Sequence, residues 1–531
     1  MAEAARPYRS QNWLLTKPAA RGRHGIVVSQ SREAAEAGAA ILEQGGNAAD
    51  AAVAACFALA AVEPWNSGLG GIGFAVVLKA GERQAQVVDF GPIAPHRADP
   101  ADYPLTGEMK KDLFTWPEVV GDRNIHGPLS FCVPSSVAGY SKLKDAFGSA
   151  LPLADILAPA IALARRGLPA DWYTTLKIAS SASVLRLYEE SARIYLPGGL
   201  PPVPPYQGTP GFMPLGKLSE TLERLAEAGL DDFYRGDVAR RLAADVAAAG
   251  GVVDERDLAG CEARLRPSPT IDWRGSHLIH TAGGLTAAPT LERVIAGMAD
   301  AEIDGEGPSP AWFAQLSRVM RQAYRERLDG LGAATAAKEP GDTCTTHLTV
   351  VDGEGNLVAV TTTLLSSMGS RVVLPSTGVL MNNGMMWFDP RPGSANAIAP
   401  GARPLCNMCP VVVTPKDGGW PRLAAGSSGG RRILASVYQT LAWQLDFGMS
   451  TEETAHQPRI DISGPDSTTA DLRLPAETLG ALEQAGPTTL AEHAVMPINF
   501  ACPNFITVDR DGAEASSDAA SPWSAAVAAR R

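Results

Sequence analysis

The chain has 531 residues, 45% of them hydrophobic, which is enough to bury a sizeable core in one large domain or in two or three smaller ones. A formal net charge of −11 argues against a nucleic-acid-binding surface. The basic segment 1–23 lacks an apolar run of secretory-signal length, and the most apolar helical stretch, 48–62, is too short to span a bilayer. We therefore expect a cytoplasmic protein without a membrane partner.

Helices and strands are both predicted in the first half of the chain. A helix is predicted over 31–44, and Asn47 followed by Asp50 is the capping signal of a second helix that ends before Pro64. Paired strands are predicted at 74–79 and 85–90. Further helices are predicted at 135–148, 153–166, 218–229, 237–249, 290–301 and 310–329.

Three motifs that could bind a cofactor or a metal have ordinary explanations. Segment 68–73 matches G-x-G-x-x-G, but a helix precedes it and a strand follows, which is the reverse of a dinucleotide site, so we interpret it as a tight loop. Cys406 and Cys409 lack a second ligand pair and are expected to be core thiols. His277 and His280 are expected to be strand residues. We predict no cofactor and no metal.

The character of the chain changes after segment 331–344, which has no apolar period and is predicted to be a flexible linker. Strands are predicted beyond it at 346–351, 357–363, 377–381 and 409–414, and a helix at 431–446. Mixed helices and strands in both halves favour a layered α/β or α+β enzyme.

A β-hairpin is strongly predicted where 345–351 and 357–363 flank a turn rich in Gly, Asp and Asn. If Val351 faces Leu357, then Thr345 faces Thr363, and two hydroxyls meet at the open end. A chain cut before Thr345 would carry an α-amine of pKa ~7.7–8.0 that could serve as the base for the adjacent hydroxyl. Thr363 would hold that hydroxyl by a hydrogen bond. The alternative is an ordinary threonine-rich strand.

Gly429 and Gly430 come just before a predicted helix. Glycines at the start of a helix can present backbone N–H groups to an anion, and such a pair can form an oxyanion hole. A simple helix cap is the alternative.

Many short segments follow one another in the order found in a known family: 45–52, 63–64, 67–71, 134–139, 345–347, 351–352, 355–356, 382–383, 403–405, 429–430 and 432–433. In these the chain resembles the γ-glutamyltransferase family of N-terminal-nucleophile hydrolases. The resemblance covers most of the chain and implies an α+β fold, a four-layer αββα sandwich. It also implies self-cleavage between Cys344 and Thr345, giving a large chain 1–344 and a small chain 345–531 that form one composite domain. Thr345 would be the nucleophile, Thr363 its hydroxyl partner, and Gly429 and Gly430 the oxyanion hole.

The chain departs from this family at the positions that bind a glutamyl group. Gly91 replaces an arginine, Cys406 and Asn407 replace two serines, and an asparagine, a glutamine and an aspartate are replaced by Leu365, Gly384 and Trp387. These changes predict a smaller or more apolar site.

We expect Leu365, Trp387 and Asn407 to contact the substrate. Arg431 would anchor a substrate carboxylate, with Arg371 as a second candidate for that role.

Together the motifs predict an amidohydrolase that acts on a small amide other than a glutamyl compound, similar to the family's oxamate amidohydrolase branch. The alternatives are a γ-glutamyltransferase or glutathione hydrolase, an acylase of larger amides, and an uncleaved scaffold. The expected partners are a small-molecule amide and the two chains of the same precursor, and assembly into a homo-oligomer is compatible with the sequence.

Overall fold

A computed structural model describes residues 13–110, 116–303, 307–329 and 343–530. Fourteen strands form two seven-stranded antiparallel sheets: β1 (Ala20–Gly22), β2 (Gly25–Ser29), β3 (Ile72–Leu78), β4 (Gln86–Phe90), β5 (Arg264–Pro267), β6 (Thr270–Trp273), β7 (His277–Thr281), β8 (Thr343–Asp352), β9 (Leu357–Ser366), β10 (Val411–Pro415), β11 (Arg422–Ser428), β12 (Cys502–Asp509), β13 (Gly512–Ser517) and β14 (Ala525–Ala528). The first sheet has the order β1-β13-β12-β11-β10-β7-β6, and the second has the order β14-β2-β8-β9-β3-β4-β5.

Short strands pair outside the two sheets: Leu105–Met109 with Pro117–Val119, Leu168–Pro169 with Phe212–Met213, Val373–Leu374 with Val379–Leu380, and Ile460–Asp461 with Thr468–Asp471 and Thr488–Ala491. The helices of the described residues are α1 (Arg32–Glu43), α2 (Ala48–Val62), α3 (Ser136–Phe147), α4 (Leu153–Arg166), α5 (Trp172–Leu185), α6 (Glu189–Tyr195), α7 (Leu218–Ala228), α8 (Asp232–Arg235), α9 (Asp237–Ala248), α10 (Glu255–Ala259), α11 (Ala288–Gly297), α12 (Pro310–Asp329), α13 (Ile433–Leu445), α14 (Thr451–His456) and α15 (Ala476–Ala485). None of them within these bounds is both long and apolar enough to cross a membrane.

The sheets pack face to face with helices on both outer surfaces, so the predicted four-layer αββα sandwich is confirmed. Side chains alternate between the two faces of a strand, and β2 shows the result. Ile26 and Val28 lie in the apolar cluster between the sheets, whereas Val27 lies in the cluster beneath α1, α2 and α4. Helices α11, α12 and α13 cover the opposite sheet. Because the central strands are buried on both faces, they are apolar along most of their length.

Helix α2 follows its sequence signals closely. The Asn47 side chain accepts hydrogen bonds from the Ala49 and Asp50 N–H groups, and Asp50 accepts one from the Asn47 N–H at 3.1 Å, which completes the predicted capping box. All fifteen residues of the helix are buried, in keeping with a composition that is apolar all round.

Several predicted elements differ from the observed ones. The helix predicted at 431–446 begins at Ile433, after a 3-10 turn at Gly430–Arg432, and the strand predicted at 377–381 is reduced to Val379–Leu380. Helix α5 was missed because its many Ser and Thr residues obscure the helical apolar period. The predicted linker 331–344 lies outside the described residues, apart from the backbone of its last two positions in β8.

The ordinary explanations of the cysteine and histidine motifs agree with the structure. Cys406 and Cys409 are buried free thiols in different apolar clusters, one between the sheets and one beneath α13. Burial raises their thiol pKa values to about 11 and about 12. His277 and His280 lie on β7, as expected.

Candidate active site

The β8–β9 hairpin brings the two predicted hydroxyls together. Its pairing follows the predicted register from Val351 opposite Leu357 up to Thr346 opposite Thr362, and then shifts so that Cys344 pairs with Leu365. The shift is a bulge, because two residues of β9 lie opposite Thr345. Thr345 Oγ1 and Thr363 Oγ1 are 3.1 Å apart, and both side chains are buried.

The bulge also fixes the surroundings of Thr363. The Leu365 N–H donates to Thr363 Oγ1 at 2.8 Å, which favours the arrangement in which the Thr363 hydroxyl donates to Thr345. Leu365 itself has a φ of 90°, in a region that bulky side chains rarely adopt. This backbone strain lies directly opposite Cys344, beside the bond predicted to be cut.

Glycines allow the neighbouring segments to approach the hairpin closely. A Cβ added at Gly426 on β11 would lie 2.2 Å from the His347 ring, so β11 can reach this part of β8 only without a side chain there. A Cβ at Gly71 would lie 2.9 Å from the Thr363 carbonyl oxygen. Segment 68–73 is therefore a close-packed loop beside the site, as the sequence indicated.

A cavity of about 60 Å³ opens beside Thr345. Gly429 lines the same cavity, so the predicted nucleophile and one of the two predicted oxyanion glycines face a common space. Gly429 and Gly430 have φ values of 136° and 59°, a backbone conformation that favours glycine. About half of the remaining wall is polar, and its polar residues include Gln30, Glu63, Asn66, Lys177, Ser428, Arg432, His493, Asp518 and Ser521.

Glu63 directly follows the last residue of α2, and its carboxyl group is buried. Its carboxylate accepts a hydrogen bond from Thr346 Oγ1 at 2.5 Å and another from Asn66 Nδ2 at 2.7 Å. Burial raises the pKa of Glu63 from its ordinary 4.5 to about 7, although the Thr346 hydrogen bond and the charge of Lys177 lower it in part. The Glu63 carboxyl can therefore gain or lose a proton near neutral pH.

Asp518 and His493 occupy another part of the wall and are tied into an ionic network. His493 Nε2 lies 3.1 Å from Asp518 Oδ1, Arg459 donates to Asp518 Oδ2, and Arg473 contacts His493 Nδ1 at 2.9 Å. Burial alone would raise the pKa of Asp518, but His493 and Arg459 together lower it well below its ordinary range. Both ring nitrogens of His493 already have partners, so this network is better suited to holding the wall than to moving protons.

The N-terminal segment braces this wall from outside. The Lys17 ammonium donates to the Ser521 carbonyl oxygen at 2.6 Å, to Ser524 Oγ at 2.6 Å and to the Asp518 carbonyl oxygen at 2.8 Å. Asp518 and Ser521 both line the cavity. Lys17 therefore fastens a loop of the small-chain region to the large-chain region.

The four residues predicted to contact the substrate do not line this cavity within the described part of the chain. Arg431 is buried and its carbonyl oxygen accepts a hydrogen bond from the Tyr324 hydroxyl, whereas Arg432, the next residue of the 3-10 turn, faces the cavity. Asn407 Oδ1 lies 3.4 Å from an Arg327 nitrogen.

Arg371, the second candidate anchor, also lies outside the cavity wall. Its guanidinium donates to Ser366 Oγ at 2.7 Å and to the Gly369 carbonyl oxygen at 2.6 Å. Arg371 has a φ of 62°. Through these contacts Arg371 stabilises the turn between the end of β9 and its own position.

Leu365, Trp387 and Cys406 pack together with Met386 in the apolar cluster between the sheets. The two glycines at glutamyl-binding positions have no room for a side chain. A Cβ at Gly91 would lie 2.4 Å from the Phe74 ring and 2.6 Å from an Arg403 nitrogen, and a Cβ at Gly384 would lie 2.6 Å from Cys132 Sγ.

Sequence reasoning missed several residues of the cavity wall. Glu63 entered the sequence analysis only as part of the family-like segment 63–64. A carboxylate directly after a fully apolar helix could have indicated a buried, functional carboxyl group. Lys177 lies on α5, which was not predicted, so nothing in the sequence pattern placed it near Thr345.

Comparisons with known proteins agree with these observations. A family model described as Gamma-glutamyltranspeptidase matches residues 34–340 and 309–528. A glutathione hydrolase proenzyme of Escherichia coli (strain K12) is 30% identical over 90% of this chain and 87% of its own length. The acylase ACY 1 proenzyme of Pseudomonas sp. (strain SE83) is 32% identical over 86% of each chain. The crystal structure of cephalosporin acylase from Bacillus halodurans superposes with a TM-score of 0.82 over 99% of each chain, at 22% identity, and so shares the fold.

Proposed function

Because the chain belongs to the gamma-glutamyltranspeptidase family, whose members are self-processing hydrolases of amide bonds, we propose that it hydrolyses a small amide other than a glutamyl compound. The observation that carries this proposal is the closure of the positions that would bind a glutamyl group. Trp387 and Leu365 are packed into an apolar cluster, and Gly91 and Gly384 have no room for a longer side chain. A buried α-ammonium group without a polar partner would be strongly disfavoured there.

The size and charge of the cavity beside Thr345 favour a short, acidic substrate. A space of about 60 Å³ has room for a few water molecules, which suits a short substrate. Lys177 and Arg432 supply positive charge to its wall, and the Lys177 ammonium lies 5.5 Å from the centre of the Tyr173 ring. We assign carboxylate binding to Lys177, in place of the Arg431 anchor that the sequence predicted, because Lys177 lines the same cavity as Thr345 and Arg431 does not.

The residues suit acyl transfer through a threonine ester. After cleavage before Thr345, its α-amine would take the proton of the Thr345 hydroxyl, and Oγ1 would attack the substrate carbonyl carbon. Backbone N–H groups of Gly429 and Gly430 would stabilise the oxyanion. The amide C–N bond then breaks, ammonia leaves with the proton from the α-ammonium, and water hydrolyses the ester.

A panel of amides tests the proposal. Purified, cleaved protein would be given oxamate, malonamate, succinamate, glutathione and γ-glutamyl-4-nitroanilide. The release of ammonia, cysteinylglycine or nitroaniline, respectively, would be measured with the Thr345→Ala variant as blank. We expect kcat/KM for a short acid amide to exceed that for γ-glutamyl-4-nitroanilide by about 10⁴-fold, because polar groups without partners are rejected by factors of this order. Comparable rates on the γ-glutamyl compounds would overturn the proposal.

Lys177→Met provides a sharper test within the same panel. This change keeps most of the apolar stem and removes the charge, so KM for the acid amide should rise about 10-fold or more, as expected for a lost charge-assisted hydrogen bond. A matched neutral amide should be affected little. An equal effect on both substrates would exclude Lys177 as the carboxylate anchor.

An acylase of larger amides is the second candidate, since a relative 32% identical to this chain is named an acylase. The small cavity weighs against it. Adding an acyl-amide with a long side chain to the panel distinguishes the two activities.

A further inference from the structure

Before self-cleavage, the Thr345 hydroxyl needs a proton acceptor other than the α-amine of Thr345. In the mature enzyme the α-amine of Thr345 can serve as base. In the intact chain β8 runs without a break from Thr343 through Cys344 into Thr345, so the nitrogen of Thr345 is still part of a peptide bond. An amide nitrogen cannot accept the hydroxyl proton, and the first reaction of Thr345, the cleavage of its own chain, needs a different acceptor.

The hydroxyl partner of Thr345 is not suited to be that acceptor. Thr363 Oγ1 already accepts the Leu365 N–H at 2.8 Å, which favours donation of its own hydroxyl to Thr345 Oγ1, 3.1 Å away. Thr363 therefore stabilises negative charge that develops on the Thr345 oxygen, as a donor does. The proton of the Thr345 hydroxyl has to leave in another direction, and the cavity opens beside it.

Among the residues that the structure describes, the other titratable groups of the cavity wall are Tyr173, Lys177, Arg432, His493, Cys502 and Asp518. Lysine and arginine are cations with no lone pair to offer, and burial raises the pKa of Cys502 to about 11, so its thiol stays protonated. Asp518 is held as a weakly basic carboxylate by Arg459, and both ring nitrogens of His493 have partners. Tyr173 has a phenol, which is a poor base at neutral pH.

We propose that Glu63 accepts the Thr345 hydroxyl proton during self-cleavage, across the cavity that the two residues share. The cavity has room for a water molecule that can carry the proton between them. Thr346 Oγ1 and Asn66 Nδ2 each donate to one oxygen of the Glu63 carboxylate, which fixes its orientation and leaves each oxygen with a further lone pair. Thr346 directly follows the nucleophile, so the contact ties Glu63 to the reacting segment.

The reaction balances without any co-reactant other than water. Glu63 takes the proton as Thr345 Oγ1 forms a bond to the carbonyl carbon of Cys344. The C–N bond between Cys344 and Thr345 breaks, and protonated Glu63 returns the proton to the departing Thr345 nitrogen. Water then hydrolyses the ester, releasing the Cys344 carboxylate and the Thr345 hydroxyl. The free α-amine takes over as base for every later turnover.

The pH dependence of self-cleavage follows from the charge state of Glu63. With a pKa of about 7, the carboxyl group is mostly neutral at pH 5 and cannot accept a proton, whereas at pH 8 it is mostly charged and can. The rate should therefore rise from pH 5 through pH 7 and level off near pH 8. The Thr346 hydrogen bond lowers this pKa, so Thr346→Val should move the rising part of the profile to higher pH.

Cell-free synthesis of the full chain, followed over time on denaturing gels between pH 5 and 9, measures these rates without any amide substrate. The result is thus independent of the function proposed above. Glu63→Gln should slow the appearance of chains 1–344 and 345–531 by about 10²- to 10⁴-fold and flatten the pH profile. Glu63→Asp should restore part of the rate, and Thr346→Val should shift the profile with a smaller loss.

Cleavage of Glu63→Gln at the wild-type rate and with the wild-type pH profile would overturn the proposal. Far-ultraviolet circular dichroism establishes whether each variant is folded. If Glu63→Gln does not fold, the pH profile of the wild-type chain is the test. A wild-type self-cleavage rate that stays constant between pH 5 and 8 also overturns the proposal. A Thr346→Val profile with an unchanged midpoint would show that Glu63 has only a structural role.

Discussion

Two regions adjoin the open end of the β8–β9 hairpin, and they differ sharply in character. On one side lies a small cavity with the polar side chains of Thr345, Glu63 and Lys177 in its wall. On the other, Leu365 and Trp387 lie in the apolar cluster between the sheets, at positions where the family resemblance implies polar side chains. Under the proposed function, the groups that cut amide bonds are kept while the groups that recognise a glutamyl substituent are replaced, so the two tasks fall to different side chains.

Removal of the nucleophile should have the largest effect. Thr345→Ala should leave a single chain of 55.6 kDa and no amide hydrolysis, a loss of up to ~10⁶-fold, as for other hydrolases that lose a nucleophile. Denaturing gels and intact-mass measurement give the result, and Thr345→Ser, which keeps a hydroxyl, should still cleave. If active wild-type protein has an unbroken chain, the polar region does not work as described.

A second variant tests whether the apolar region around Trp387 can be made to bind a glutamyl group by one substitution. Trp387→Asp returns the aspartate found in glutamyl-binding relatives, but it does so inside a packed cluster. Loss of the ring should cost about 3–5 kcal/mol, with a further cost for a buried carboxylate. Thermal unfolding should show the destabilisation, with Trp387→Phe as the milder control.

No γ-glutamyl activity should appear in Trp387→Asp, because Gly91 and Gly384 remain without space for the other polar groups. Efficient hydrolysis of γ-glutamyl-4-nitroanilide by this variant would mean that a single residue separates the two specificities and that the apolar region is not closed to a glutamyl group.

The smallest effect is expected from loss of the hydrogen bond between the Thr345 and Thr363 hydroxyls. Thr363→Val removes a hydroxyl 3.1 Å from Thr345 Oγ1 but keeps the shape of the side chain. A neutral hydrogen bond contributes about 0.5–1.5 kcal/mol, so self-cleavage and turnover should both slow by about 2- to 10-fold. Thr363→Ser is the matched control. Equal rates in wild type and Thr363→Val would show that the contact has no part in activating the nucleophile.

Local sequence patterns were enough to predict the helices, the hairpin and the pairing of the Thr345 and Thr363 hydroxyls. Capping at Asn47, the turn after Val351 and the alternation of side chains along strands depend on neighbours a few residues away, so they can be read along the chain. The order of the motifs likewise predicted the αββα fold. The bulge that places Leu365 opposite Cys344 was not predicted, because no local pattern along the two strands marks the shift in register.

Only the tertiary structure decided which side chains face the cavity. Arg431 and Arg432 are adjacent and chemically identical, and a 3-10 turn of three residues points them in different directions, so no pattern could choose between them. Glu63 and Lys177 are more than a hundred residues apart, on segments that meet only when the layers assemble. The raised pKa of Glu63 exists only there, because it comes from the removal of water when those layers close around the carboxyl group.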